Sequence, residues 1–186
     1  MAGMHNVGFI IGSLSEQSIN RRLAGAIQDV AGDRMNFTEI PIADLPVYNR
    51  DLDGDLPAAA RRLKEQIEAA DAVLFITPEY NRSVPAALNN AIEWASRPFG
   101  QNSLTGKPTA VCGASPGAVG TAVAQQDLRS MLTYSASPQM LAPEMYFQFS
   151  DDAIDEDGTI QDGEVREVVG EFVDAFADFL GQQQAA

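Results

Sequence analysis

The sequence predicts an α/β protein built on a doubly wound, five-stranded parallel sheet with helices on both faces. Strand and helix patterns alternate along the whole chain, with no internal repeat and no low-complexity linker, as parallel α/β architectures require. Residues 7–11 and 72–77 (AVLFIT) are near-continuous apolar runs, the pattern of strands covered on both faces. Between such runs, apolar residues recur at helical steps of three and four.

The elements follow in order. Strand 7–11 precedes a helix whose stripe is Leu23, Ile27 and Val30. A weaker strand, 37–42, leads to a helix carrying Leu63, Ile67 and Ala70. After strand 72–77, Leu88, Ala91, Ile92 and Ala95 line a helix that Pro85 can open as an early helical residue, since proline needs no donor there. Strand 109–113 is followed by a helix with Leu128, Met131 and Leu132. A short strand is expected at 137–141. Val165, Val168, Val169, Phe172, Val173, Phe176 and Leu180 give the clearest helical stripe. Right-handed crossovers distribute these helices over both faces. Ligands of such sheets bind beyond the C-terminal strand ends, at the switch point, so chemistry belongs in the loops after the strands.

The whole length, 1–186, suits one domain with a full core. One cysteine, Cys112, and one histidine, His5, exclude an intrachain disulfide and Cys- or His-rich metal sites. No run reaches the length of a membrane-spanning helix, and no basic segment opens the chain, so membrane insertion is not expected and a cytoplasmic location is. The net charge of −14 opposes nucleic acid and anionic membranes. An anionic small ligand remains compatible, because charges beyond roughly 8 Å are largely screened at physiological salt. Much of the acidity gathers in Asp151, Asp152, Asp155, Glu156, Asp157, Asp162 and Glu164, which reads as a solvated loop.

Three loops carry the candidate chemistry. The first, 12–20 (GSLSEQSIN), offers Ser13, Ser15, Ser18 and Asn20 ahead of a helix. A helix N-terminus attracts phosphate, although Ser13 and Glu16 also match a capping box. The loop is neither a dinucleotide fingerprint nor a Walker A loop, and without lysine it suits an FMN phosphate better than ATP. The second, 77–85 (TPEYNRSVP), is stiffened by two prolines. It can aim backbone N–H groups at a flat ring through Pro78, Glu79, Tyr80 and Asn81, or serve as a capped β–α turn. The third, 113–121 (GASPGAVGT), permits close backbone approach to a ligand. It also matches the serine-hydrolase elbow, but Pro116 has no N–H for an oxyanion hole and no histidine is placed to act as base.

Thr77-Pro-Glu-Tyr-Asn81, Ser83-Val84-Pro85 and Leu88-Asn89-Asn90-Ala91-Ile92-Glu93-Trp94 resemble the TPEYN–S–P–LKNAIDW signature of the NADPH-dependent FMN reductases, in the branch of quinone and chromate reductases. Gly12-Ser13-Leu14 with Ser18 and Asn20, Leu45-Pro46-Val47-Tyr48-Asn49 and Leu104-Thr105-Gly106-Lys107-Pro108 resemble further family segments in the right order. The resemblance spans about 7–180 and implies a flavodoxin-like fold. It implies that Ser13, Ser15, Ser18 and Asn20 cradle the FMN phosphate. Pro78, Glu79, Tyr80 and Asn81 would hold the isoalloxazine edge largely by backbone, with Ser115, Pro116 and Gly117 on its other side. Two positions depart from the pattern: the family often has arginine where Ser15 stands, and a second glycine where Thr121 stands.

The resemblance further implies hydride transfer from NADPH or NADH to the flavin N5, then reduction of a small oxidant in the vacated place. Quinones, chromate, azo compounds and free flavin are the candidate oxidants. The cofactor carries the chemistry, so no catalytic side chain is named. Arg82 is a candidate for the NADPH phosphate, or simply a solvated arginine. A homodimer or homotetramer is implied, with Tyr48, Asn49 and Trp94 at one contact and Arg129 and Glu144 paired across another. The rival reading is a flavodoxin-like electron carrier whose acidity docks a basic partner. A supplier of free reduced FMN is a third reading. A phospho-receiver domain shares the topology, but Ile76-Thr77 stands where its acceptor aspartate would be.

Overall fold

A computed structural model describes residues 4–185. The strands are β1 (His5–Ile11), β2 (Met35–Glu39), β3 (Ala72–Ile76), β4 (Thr109–Ser115) and β5 (Met145–Gln148). The helices are α1 (Ile19–Ala31), α2 (Ala58–Ala69), α3 (Ala86–Ala95), α4 (Ala122–Tyr134) and α5 (Gly163–Ala185). The sheet is wholly parallel in the order β2-β1-β3-β4-β5.

The continuous apolar runs are explained by two cores. Val7, Phe9 and Ile11 of β1, with Ala72, Leu74 and Ile76 of β3, face the layer of α1 and α5. Ile10, Val73 and Phe75 face α2, α3 and α4. The α5 stripe is buried at Val169, Phe172, Val173, Phe176 and Leu180, while Val168 stays half exposed.

Three expectations need correction. The fifth strand is at 145–148, not 137–141. Gln139 makes only an isolated bridge to Thr109, and Leu141 is exposed. The true β5 is an edge strand whose Met145 and Phe147 point inward while Tyr146 and Gln148 point outward, so a search for continuous apolarity passes over it. Pro85 is the cap of α3, extended at ψ 143°, rather than a residue of its first turn. His5 opens β1 instead of preceding it, and its ring nitrogen Nδ1 lies 3.1 Å from Gln184 Nε2.

The acidic segment is also more than a solvated loop. Arg22 of α1 donates to the Asp151 carboxylate at 2.8 Å and the Asp155 carbonyl at 3.0 Å, and also bonds the Ile154 carbonyl. Its guanidinium lies 4.6 Å from the Phe149 ring centre. Ile154 and Ile160 pair and are buried. Gly158, at φ +90°, sits so close to α1 that an added Cβ would lie 2.9 Å from Gly25 Cα.

Candidate functional site

The order β2-β1-β3 places the switch point between β1 and β3, where the loops after adjacent strands diverge and leave a crevice. The three candidate loops all emerge at this edge. The close approach that joins them is visible at Gly113, where an added Cβ would lie 2.0 Å from the Thr77 carbonyl oxygen.

The first loop does not form the expected capping box. Helix α1 begins only at Ile19, with Ser18 as its cap. Ser13 Oγ instead accepts from the Ser15 N–H at 3.3 Å. Ser18 is buried, with an extended backbone, and its hydroxyl makes no capping bond. The first N–H groups of a helix have no partner within it, so α1 presents a donor-rich end. A cleft of about 450 Å³ opens there, lined by Glu16, Gln17, Ser18, Ile19, Arg21, Arg22, Asp151 and Glu156. Ser15 is exposed and Ser13 buried. Asn20 is used differently. Its side chain donates to the Ala114 carbonyl at 3.0 Å and accepts from the Ala114 N–H at 2.8 Å. That buried amide ties α1 to the end of β4 as a strand neighbour would.

In the second loop, Tyr80 and Ser83 exchange both backbone hydrogen bonds, at 3.3 and 3.1 Å. Asn81 and Arg82 between them have φ +55° and +59°, the pattern of a mirror-image two-residue hairpin turn. Asn81 suits this left-handed position, whereas at Arg82 left-handed backbone costs about 1–2 kcal/mol. Strain of this kind persists where surrounding contacts enforce it, and it gathers at functional sites. Pro78 is buried, while Tyr80 and Asn81 are exposed. The Tyr80 and Ser13 hydroxyls lie 3.5 Å apart, linking the first two loops.

The second and third loops are linked through α4. Glu79 Oε2 accepts from the Val123 N–H at 3.0 Å and the Ala124 N–H at 3.1 Å. Ser83 Oγ bonds Asp127 Oδ2 at 3.0 Å. In the third loop Ser115 is half-buried, and its hydroxyl donates to the Gly117 carbonyl at 3.2 Å. Pro116 and Gly117 are exposed. Thr121 takes φ +73°, which explains why a glycine suits that position. Its hydroxyl accepts from Gln125 Nε2 at 3.0 Å.

The residues expected at the site thus converge on one edge of the sheet, with Asn20 acting within the scaffold. Burial pushes the Cys112 thiol well above its ordinary range, so β4 offers no thiolate there. Among the described residues, no group of His, Cys, Asp or Glu is arranged to hold a metal. The carboxylate span of Glu79 and the Asn20 clamp escaped sequence reasoning. Partners 44 and 94 positions away leave no local spacing to read.

Trp94 cannot form an interface as the resemblance implied. It is fully buried, its indole N–H donates to the Pro46 carbonyl at 2.7 Å, and its ring meets Tyr48 edge-on at 5.0 Å. Tyr48 is half-buried and Asn49 exposed.

Comparison with known proteins gives the family and the fold. The family model for NADPH-dependent FMN reductase matches residues 5–152. The flavoenzyme NAD(P)H:(acceptor) oxidoreductase FerB from Paracoccus denitrificans superposes with a TM-score of 0.93 at 44% identity, covering 97% of this chain and 99% of that one. A 2-hydroxy-1,4-benzoquinone reductase of Burkholderia sp is 43% identical, covering 94% of this chain and 95% of its own. A quinone reductase of Pseudomonas putida is 40% identical over the full length of both. With a family model over most of the chain and relatives of this identity along nearly their whole length, the protein belongs to the NADPH-dependent FMN reductases: it is a flavodoxin-like oxidoreductase that works with FMN and draws its electrons from NAD(P)H.

Proposed function

We propose that this chain reduces quinones, holding FMN across the three loops with its phosphate at the N-terminus of α1. The observation that carries the reading is Ser18: a buried cap residue whose hydroxyl makes no capping bond, at the N-terminus of α1, where it lines the cleft. Such an end favours a phosphate. Ser13 and Ser15 add hydroxyls, and Asn20 contributes by locking α1 to Ala114. Pro78, Glu79, Tyr80 and Asn81 form one wall for the ring, and Ser115, Pro116 and Gly117 the other.

When bound, FMN supplies the ring that accepts and returns a hydride. The chain's own residues bind and orient. The paired backbone hydrogen bonds of Tyr80 and Ser83 hold the turn at Asn81 and Arg82 in place, and the exposed flanks leave room for a planar molecule. Arg82 is 66% exposed at its side chain and pairs with Glu79 at 3.3 Å. Its exposed side chain can leave that pair for a nicotinamide phosphate of NADPH or NADH. Arg82→Ala should raise the NADPH KM about five- to tenfold, the loss of one charge-assisted contact. An unchanged KM removes Arg82 from the site.

Relatives named for quinone reduction support quinones as the oxidant. Chromate, azo compounds and free flavin fit the same open site. Donor and oxidant using one place in turn predicts parallel double-reciprocal plots with NADPH and benzoquinone. Intersecting lines contradict it. The electron-carrier reading is not favoured beside a family of reductases.

The chain acts as one domain in the cytoplasm and as a homodimer or homotetramer. No described helix is long and apolar enough to cross a membrane. Arg129 is buried in the protomer, where it bonds the Met140 carbonyl at 2.8 Å and leaves Nε and Nη2 without partners, so its pairing across a contact requires the side chain to turn outward. Buried charges need a counter-charge, and the exposed Glu144 of a second copy would provide one; within the protomer the two form no ion pair among the described residues. Glu144→Gln should lower the mass in solution. A monomeric wild type overturns the contact.

A further inference from the structure

Helix α4 is capped from outside its own chain segment. Its cap residue, Thr121, gives no side-chain bond to the first turn, because its hydroxyl serves Gln125. The donors of Val123 and Ala124 are met instead by Glu79, whose side chain is only 9% exposed. A carboxylate at a helix N-terminus gains from charge-assisted bonds and from the helix dipole. Glu79 therefore grips the first turn of α4, directly after the third loop, while its own backbone belongs to the second. Those loops form the two walls proposed for the isoalloxazine ring, so the gap between them has a covalently independent strut.

We infer that Glu79 is a positioning residue whose carboxylate, bonded to the Val123 and Ala124 N–H groups, sets the distance between the two ring-holding loops. The inference rests on the proposed flavin site and adds a side-chain role to a residue otherwise assigned by its backbone. Without the carboxylate, α4 loses its cap and the third loop moves against the second. The ring is then held less firmly and sees a different set of backbone dipoles.

The test uses the full FMN-loaded chain as wild type, Glu79→Gln and Glu79→Ala. FMN dissociation is followed by flavin fluorescence, the midpoint potential by dye-coupled reduction, and KM and kcat with NADPH and benzoquinone. Glu79→Ala should weaken FMN about tenfold or more, shift the potential, and raise the benzoquinone KM more than it lowers kcat. Glu79→Gln retains an oxygen acceptor of the same reach and should recover most of the affinity. If Glu79→Ala folds with a lower Tm but wild-type FMN affinity and potential, the carboxylate only stabilises α4 and the inference falls. Should Glu79→Ala not fold, Glu79→Asp decides, because its shorter side chain keeps the charge but cannot span the gap. A wild-type potential and affinity there overturn the strut. A wild-type chain that binds no FMN overturns the proposed function together with this inference, whereas normal wild-type binding with unaffected variants overturns the strut alone.

Discussion

Neighbouring polar residues of the first loop have opposite roles. Both polar atoms of the Asn20 side chain bond the Ala114 backbone, so Asn20→Ala leaves a buried N–H and a buried carbonyl unpaired. That costs about 2–4 kcal/mol, or roughly 5–15 °C in Tm for a chain this size, read by thermal unfolding of the apoprotein. Ser18 has no such bond, so Ser18→Ala should leave apoprotein Tm within about 2 °C, a surface-sized effect, while weakening FMN. Equal Tm losses for both would contradict the division. Ser15 stands where the family resemblance leads one to expect arginine, and the nearby arginines are engaged: Arg21 with Glu39 at 2.8 Å, Arg22 with Asp151 at 2.8 Å. Ser15→Arg should therefore strengthen FMN binding about tenfold by a charge-assisted contact, measured by fluorescence quenching. No gain would mean that the phosphate does not reach this loop. Sequence pattern marked all three residues, but not which were already satisfied, because the partner of Asn20 lies 94 positions away.

At the scale of elements, helices and central strands were legible because burial on one stripe or on both faces imposes a period. The fifth strand was not, since an edge strand needs only Met145 and Phe147 inside. The turn at Gly120 was legible as a loop but not as a close approach. There φ is +57° and an added Cβ would lie 2.5 Å from the Tyr146 carbonyl group. Gly120→Ala should cost about 2 kcal/mol or more by denaturant unfolding, and a neutral result would contradict the packing of this loop on β5. In the acidic segment, the Thr159 backbone N–H holds the Asp157 carboxyl below its ordinary value of 3.8. A carboxylate so lowered supports its turn above that value and withdraws support as pH falls through the folded pKa. The Thr159 amide resonance should titrate with a midpoint below 3.8 and lose that transition in Asp157→Asn. A midpoint at the ordinary value would mean that the turn does not use this bond.

For the whole molecule, the fold followed from alternation, and the candidate site was placed by the rule that parallel sheets bind ligands at their switch point. The reaction did not follow from side chains, because a flavin enzyme leaves its chemistry to the cofactor. A net charge of −14 sits beside a site that must accept two anions, FMN and a nicotinamide phosphate. Self-repulsion then makes moderate salt favourable for FMN binding, opposite to the trend for a basic protein. The central claim is that FMN is seated across the loops after β1, β3 and β4 and takes electrons from NAD(P)H. The most direct measurement is the visible spectrum of the FMN-saturated chain after desalting, followed by anaerobic titration with NADPH and NADH. The account predicts a retained flavin spectrum that bleaches stoichiometrically. A colourless protein with no measurable FMN affinity, or a bound flavin that neither nicotinamide bleaches, would contradict it.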